Sequence, residues 1–128
     1  MAELKKILYA EDEPDVQMVV ELTVQTMSEY EIKICDNGKK LLDCVEQYCP
    51  DLILLDVMMP EMDGPTTFKN LQLNENTKNI PVIFMTAKAQ IQEVEVYKEI
   101  GALGVITKPF DPISLCDEIG AMWGTNCE

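Results

Sequence analysis

Ile7-Leu8-Tyr9-Ala10-Glu11-Asp12-Glu13 decides how the rest of this chain is read: a short apolar run that ends abruptly in three acids. Three further apolar runs also end in residues that carry chemistry. Leu52-Ile53-Leu54-Leu55 ends in Asp56, Val82-Ile83-Phe84-Met85 ends in Thr86, and the run from Leu103 to Thr107 ends in Lys108-Pro109. Each has the length and composition of a buried strand. In open parallel sheets, functional groups gather outside the carboxyl ends of the strands. Parallel packing of these runs would therefore bring acids, a hydroxyl and an ammonium to one place, the makings of a divalent-cation and phosphoryl site.

Helix-period segments lie between the runs. After the acidic cluster, Pro14 suits a first helical turn, and Val16, Val19, Val20, Val24 and Met27 follow at helical spacing. A short strand over Ile32 to Cys35 ends in the turn signal Asp36-Asn37-Gly38. Leu41, Val45, Tyr48 and Cys49 form a second stripe, stopped by Pro50. A loop from Met58 to Gly64 precedes a helix marked by Phe68 and Leu71, and a polar loop runs from Asn74 to Asn79. Ile91, Val94 and Tyr97 mark a weaker helix ending near Gly101. Pro112 opens the last helix, with Leu115, Ile119, Met122 and Trp123. Five βα units in series predict an α/β fold with a parallel sheet covered on both faces. For five strands the favoured topology is flavodoxin-like, order 2-1-3-4-5, a (βα)5 three-layer sandwich. That order sets the first strand beside the third, and Glu11 and Asp12 beside Asp56.

Composition narrows the function classes. The 128 residues suit one domain with one core, residues 1–128. The net charge of −13, from 23 acids and 10 bases, argues against nucleic acid and anionic membrane as partners, since both demand a basic face. No apolar stretch nears the roughly 18 residues of a membrane span, and Met1 to Lys6 lacks a signal-peptide core. A soluble, cytoplasmic protein is the expectation. The five cysteines, at 35, 44, 49, 116 and 127, form no Cys-x-x-Cys, which speaks against structural zinc or a disulfide framework. Most are expected to act as small core residues, with Cys127 in a tail. The chain has no histidine, so imidazole-based catalysis and metal ligation are excluded. A metal site here must use oxygen, which selects hard cations.

Clustered carboxylates repel in a partly desolvated cleft unless one is protonated or a cation binds. Magnesium suits the case, with manganese as the alternative. Asp56 can act as a ligand or as a nucleophile toward phosphorus, giving an acyl phosphate. Lys108 supplies a point charge for phosphoryl oxygens and Thr86 a hydroxyl. Taken singly each residue has an ordinary reading: Glu11-Asp12-Glu13 as helix-start acids favouring the dipole, Lys108 as a surface lysine, Thr86 as the end of a strand. Their shared position at strand ends is what argues for a site.

With these residues in view, the chain closely resembles the receiver domain of two-component response regulators, and in particular the stand-alone, chemotaxis-regulator-like kind. The resemblance rests on Ile7 to Pro14, on Asp51 to Gly64 with its Asp56-Val57-Met58-Met59-Pro60-Glu61-Met62-Asp63-Gly64 stretch, on Pro81 to Ala87, and on Thr107-Lys108-Pro109-Phe110. It implies that Asp56 accepts a phosphoryl group from a histidine kinase or histidine phosphotransfer protein. It implies a magnesium site with Asp12 and Asp56 as direct ligands, Glu11 acting through water, and Met58 giving its backbone carbonyl. Thr86 and Lys108 would contact the phosphoryl group, small Ala87 would leave it room, and Glu13 would serve the helix start. A cis bond before Pro109 is common at the matching place in the family.

One position departs from the family pattern. Where many members carry an aromatic switch residue three positions before the lysine, this chain has Val105. The usual coupled Thr–aromatic rotation is therefore not expected, and the change on phosphorylation should fall mainly on the Thr86–Ile91 loop and the helix after it. The target surface would be the face of the fourth helix, fifth strand and fifth helix. The chain leaves little room after Trp123 for an output domain, so signalling by binding a downstream protein is expected, without catalysis beyond its own phosphorylation and dephosphorylation. Rival readings fit less well. A haloacid-dehalogenase-type phosphatase would want a second Asp where Met58 stands. An FMN carrier would not place Glu-Asp-Glu in its phosphate loop. An adaptor that is never phosphorylated would not need the complete set of acids, Thr and Lys.

Overall fold

A computed structural model describes residues 4–59, 62–87, 91–108 and 111–127. Five strands, β1 (Lys6–Ala10), β2 (Glu31–Cys35), β3 (Leu52–Asp56), β4 (Val82–Thr86) and β5 (Gly104–Thr107), alternate with α1 (Pro14–Met27), α2 (Gly38–Tyr48), α3 (Gly64–Leu73), α4 (Ile91–Glu99) and α5 (Pro112–Cys127). All pairings are parallel and the order is β2-β1-β3-β4-β5, the topology expected from the sequence.

Successive side chains on a strand point to opposite faces, so each central strand feeds two cores. Ile7 and Tyr9, Leu52 and Leu54, Ile83 and Met85 pack with Val20 and Val24 of α1 and Leu115 and Ile119 of α5. Leu8 and Ala10, Ile53 and Leu55, Val82 and Phe84 pack with Leu41 and Val45 of α2 and Phe68 and Leu71 of α3. Coverage of both faces explains why β3 and β4 are buried throughout, whereas β2 at the edge alternates with exposed positions.

Several local readings change. The apolar residues of α1 spread wider than its buried stripe: Val20, Thr23 and Val24 are buried, while Val19 and Met27 are exposed beside Met18 and Leu22. Asp36-Asn37-Gly38 is a helix start rather than a free turn, because the Asn37 side chain accepts a hydrogen bond from the Lys40 N–H at 2.8 Å and Gly38 is already helical. A Cβ on Gly38 would lie 1.9 Å from Thr67 Oγ1, so this glycine allows α2 to approach α3. Cys49 does not join the core; it is exposed and ends α2 in the left-handed region at φ 53°. Cys35 and Cys116 are buried as expected, Cys44 is half-buried, and Cys127 belongs to the end of α5 rather than to a tail. No helix among the described residues is long and apolar enough to cross a membrane.

Candidate phosphoryl and metal site

Strand register builds the site. Ala10 pairs with Leu55, so Glu11 and Asp56, each one residue further on, are neighbours across β1 and β3. Asp56 pairs with Met85, and Thr86 with Thr107, which sets Thr86 and Lys108 on the other side of Asp56. The Lys108 N–H donates to the Thr86 carbonyl at 2.8 Å, tying the two strand ends together. One carboxylate oxygen from each of Glu11, Asp12 and Asp56 lies within 4.8 Å of the others. The Lys108 ammonium donates to Glu11 Oε1 at 2.5 Å and lies 3.1 Å from Asp56 Oδ1.

The loop after β3 is held by Gly64. Its N–H donates to the Val57 carbonyl at 2.9 Å. A Cβ there would meet the Asp56 carbonyl oxygen at 2.5 Å and Val57 Cα at 2.9 Å, so only glycine permits this approach. Asp63 caps α3, accepting from the Thr66 N–H at 2.8 Å. Met58 is 77% exposed at the mouth of the site, so its side chain is no part of the acidic cluster. Glu13 does begin α1, yet its side chain makes no cap hydrogen bond; it lines, with Asp15, Val16, Val19, Asp56, Met58, Ala87 and Lys108, a cavity of about 500 Å³ opening onto Asp56.

Burial governs the electrostatics. Glu11 is wholly inaccessible and Asp56 is 5% exposed. For Asp56, burial and then the hydrogen bond and charge of Glu11 push the carboxyl up to about 7, against the pull of Lys108. Burial opposes ionisation of Glu11 as well, but hydrogen bonds from Lys108, Asp56 and Tyr9 outweigh it and hold that carboxyl below its usual range. Burial also disfavours the Lys108 ammonium; the hydrogen bond to Glu11 and the charges of Asp56 and Glu11 more than offset this and raise it. Of the two buried carboxyls bridged by Lys108, Glu11 is thus the one whose ionised form is favoured and Asp56 the one whose protonated form is favoured. The ligating atoms are all oxygen, which fits magnesium or manganese.

Two contributors were not singled out from the sequence. Tyr9, wholly buried, donates from its hydroxyl to Glu11 Oε1 at 2.9 Å. The signal was present, since residues i and i+2 of a strand share a face. Asp51 anchors the opposite end, accepting from the N–H groups of Lys5 and Lys6 at 2.9 Å each. Val105, at the position where the family often has an aromatic, is half-buried on β5, pairs with Phe84 and packs against the same core as Tyr97. Pro60 and Glu61 of the acceptor motif, and Pro109 and Phe110 with the bond before Pro109, lie outside the described residues.

Fold and site together are those of a receiver-type signalling module. The chain belongs to the response regulator receiver domain family, whose model matches residues 7–120. Receiver domains are the signalling switches of two-component systems: phosphorylation-dependent, magnesium-binding at an acidic pocket, and engaged by histidine kinases or phosphotransfer proteins and by downstream targets. The chain is 34% identical to sporulation initiation phosphotransferase F of Bacillus subtilis over 115 residues, covering 90% of each. It is 34% identical over 119 residues to the DNA-binding dual master transcriptional regulator RpaA of Synechocystis, covering 93% of this chain and 49% of that protein. Thus it spans about half or less of several curated relatives it matches. Chemotaxis protein CheY4 of Vibrio cholerae superposes with a TM-score of 0.85 at 26% identity, covering 94% of this chain and 99% of that one.

Proposed function

We propose that this chain is a phosphorylation-dependent switch in which Asp56 accepts a phosphoryl group from a histidine kinase or histidine phosphotransfer protein. The observation that carries this reading is the convergence of Glu11, Asp12 and Asp56 within 4.8 Å, with the Lys108 ammonium 3.1 Å from Asp56. In the transfer, an Asp56 carboxylate oxygen forms a bond to phosphorus as the donor's phosphorus–nitrogen bond breaks, and the electron pair of that bond stays with the donor imidazole. Magnesium, held by Asp12, Asp56 and the Met58 carbonyl with Glu11 acting through water, would supply charge neutralisation between carboxylate and phosphoryl oxygens. Lys108 turns its ammonium to one phosphoryl oxygen, and the Thr86 hydroxyl donates to another. Ala87, small and on the cavity wall, leaves space for the group.

The same contacts supply the switch. Phosphorylation adds about −1.5 to −2 charges, if the acyl phosphate resembles other phosphorylated side chains. Drawing Thr86 and Lys108 inward biases the ends of β4 and β5 toward a second arrangement. Phe84, two residues before Thr86, packs on Tyr97 of α4 with ring centroids 4.8 Å apart. That contact gives β4 a mechanical route to α4 that does not need an aromatic at Val105. In this reading the receiver domain signals from the cytoplasm by binding a downstream protein through its α4-β5-α5 face, and the phosphoryl group it handles is the one on Asp56. Beryllofluoride, which stands in for the phosphoryl group, tests this by NMR. Added with magnesium, it should move the amides of Thr86, Ala87 and α4. Changes limited to the neighbours of Asp56, with residues 91–100 unmoved, would refute the switch.

A further inference from the structure

The Lys108 ammonium has two carboxylates to serve, and the phosphoryl transfer asks it to leave one of them. Its contact to Glu11 Oε1 is the shorter, 2.5 Å against 3.1 Å to Asp56 Oδ1. Glu11 is wholly buried. A buried carboxylate stripped of its donors is costly, so the pull of Glu11 on Lys108 opposes the turn toward the phosphoryl group. Besides Asp56, whose hydrogen bond to Glu11 ends when it takes the phosphoryl group, two donors reach Glu11. The Glu13 N–H lies at 3.3 Å from Oε2, a long contact. The Tyr9 hydroxyl lies at 2.9 Å from Oε1, the same oxygen that Lys108 occupies.

Tyr9 is placed to stay when Lys108 goes. It lies on β1, which is flanked in the sheet by β2 and β3. Its ring is packed in the core shared with Val20, Leu54 and Ile119. A leucine or valine would fill such a position without a polar atom. Burial of a phenol oxygen is offset only when that oxygen is bonded, and here it is bonded to Glu11. Resting on the reading in which Asp56 is the acceptor and Lys108 its phosphoryl partner, we infer that Tyr9 is a positioning residue: its hydroxyl holds Glu11 Oε1 so that Lys108 is free to move to the phosphoryl group.

Tyr9→Phe tests this with acetyl phosphate as donor and magnesium varied to saturation. The direct ligands Asp12 and Asp56 are untouched, so the half-saturating magnesium concentration should change by less than about threefold. The saturating rate constant of Asp56 labelling should fall about tenfold, the scale of one hydrogen bond to a buried charge. A purely structural role would lower the unfolding midpoint and leave the saturating rate of the folded protein intact. An unchanged saturating rate, or a deficit that excess magnesium repairs, would overturn the inference. A second measurement needs no variant. In the wild type, the Tyr9 hydroxyl proton should stay protected and shift downfield when magnesium and beryllofluoride are added, because it no longer shares Oε1 with Lys108. An unmoved or lost resonance, while the amides near Asp56 do respond, would count against Tyr9. Absence of any response near Asp56 would instead overturn the function proposed above.

Discussion

Lys108 Nζ lies 3.1 Å from Asp56 Oδ1 while its closer contact is to Glu11, a residue 97 positions away in sequence. One ammonium therefore bridges two buried carboxylates that β1 and β3 bring together. Breaking a buried pair by removing one partner typically costs about 3–5 kcal/mol. Lys108→Met should thus lower the stability of the metal-free protein by about 2–4 kcal/mol at pH 8, read by urea denaturation. Magnesium should restore much of the loss. A change below about 1 kcal/mol would mean that the lysine does not carry the charge balance of the pocket.

Asp56 sets a pH dependence of definite sign. Its folded carboxyl titrates at about 7 against an ordinary 3.8. A folded value above the unfolded one means the native state binds the extra proton in that window. Its contribution is fully present below about pH 4 and is lost as pH rises toward 7, a span worth at most about 4 kcal/mol. Glu11, held below its usual range, has the opposite sign and loses its contribution only at lower pH. In chelator, Asp56→Asn should therefore be more stable than wild type at pH 8, by about 1–4 kcal/mol. The advantage should shrink toward pH 5. An equal difference at both pH values would contradict this assignment.

Gly64 and Gly124 make a matched pair. A methyl at Gly64 would press on the Asp56 carbonyl at 2.5 Å, whereas one at Gly124 meets nothing within 4 Å. Gly64→Ala should cost about 2 kcal/mol or more and weaken magnesium binding by displacing the end of β3. Gly124→Ala, in the helical α5, should be neutral or stabilise by up to about 1 kcal/mol. Thermal unfolding with and without magnesium distinguishes the two.

Magnesium binding should depend on Asp12. Calorimetric or NMR titration should show Asp12→Asn binding much more weakly than wild type, by about tenfold or more, because a direct carboxylate ligand is lost. Equal affinity in the two proteins would remove Asp12 from the site.

The sheet order, the ten elements and the gathering of Glu11, Asp12, Asp56, Thr86 and Lys108 at one edge were legible in the sequence, because buried strands are continuous apolar runs and parallel strands present their ends together. What stayed hidden depends on distances across the sheet. Nothing in the order of residues says that Lys108 would lie closer to Glu11 than to Asp56, or that burial and Glu11 together would push the Asp56 carboxyl up. Gly38 and Gly64 read as loop punctuation, yet both are places where a helix start meets neighbouring chain too closely for a Cβ. Val19 and Met27 fit the helical period of α1 but not its buried face, since period alone does not give the width of the packed stripe.

The central claim is that Asp56 is the residue that takes the phosphoryl group. Incubation with acetyl phosphate and magnesium, followed by intact-mass measurement, tests it directly. The account predicts one added phosphoryl group on the wild type, lost in base or hydroxylamine as an acyl phosphate must be, and none on Asp56→Asn. Undiminished labelling of Asp56→Asn would contradict the assignment, and a wild type that takes up no phosphoryl group would make this receiver domain a binding adaptor instead.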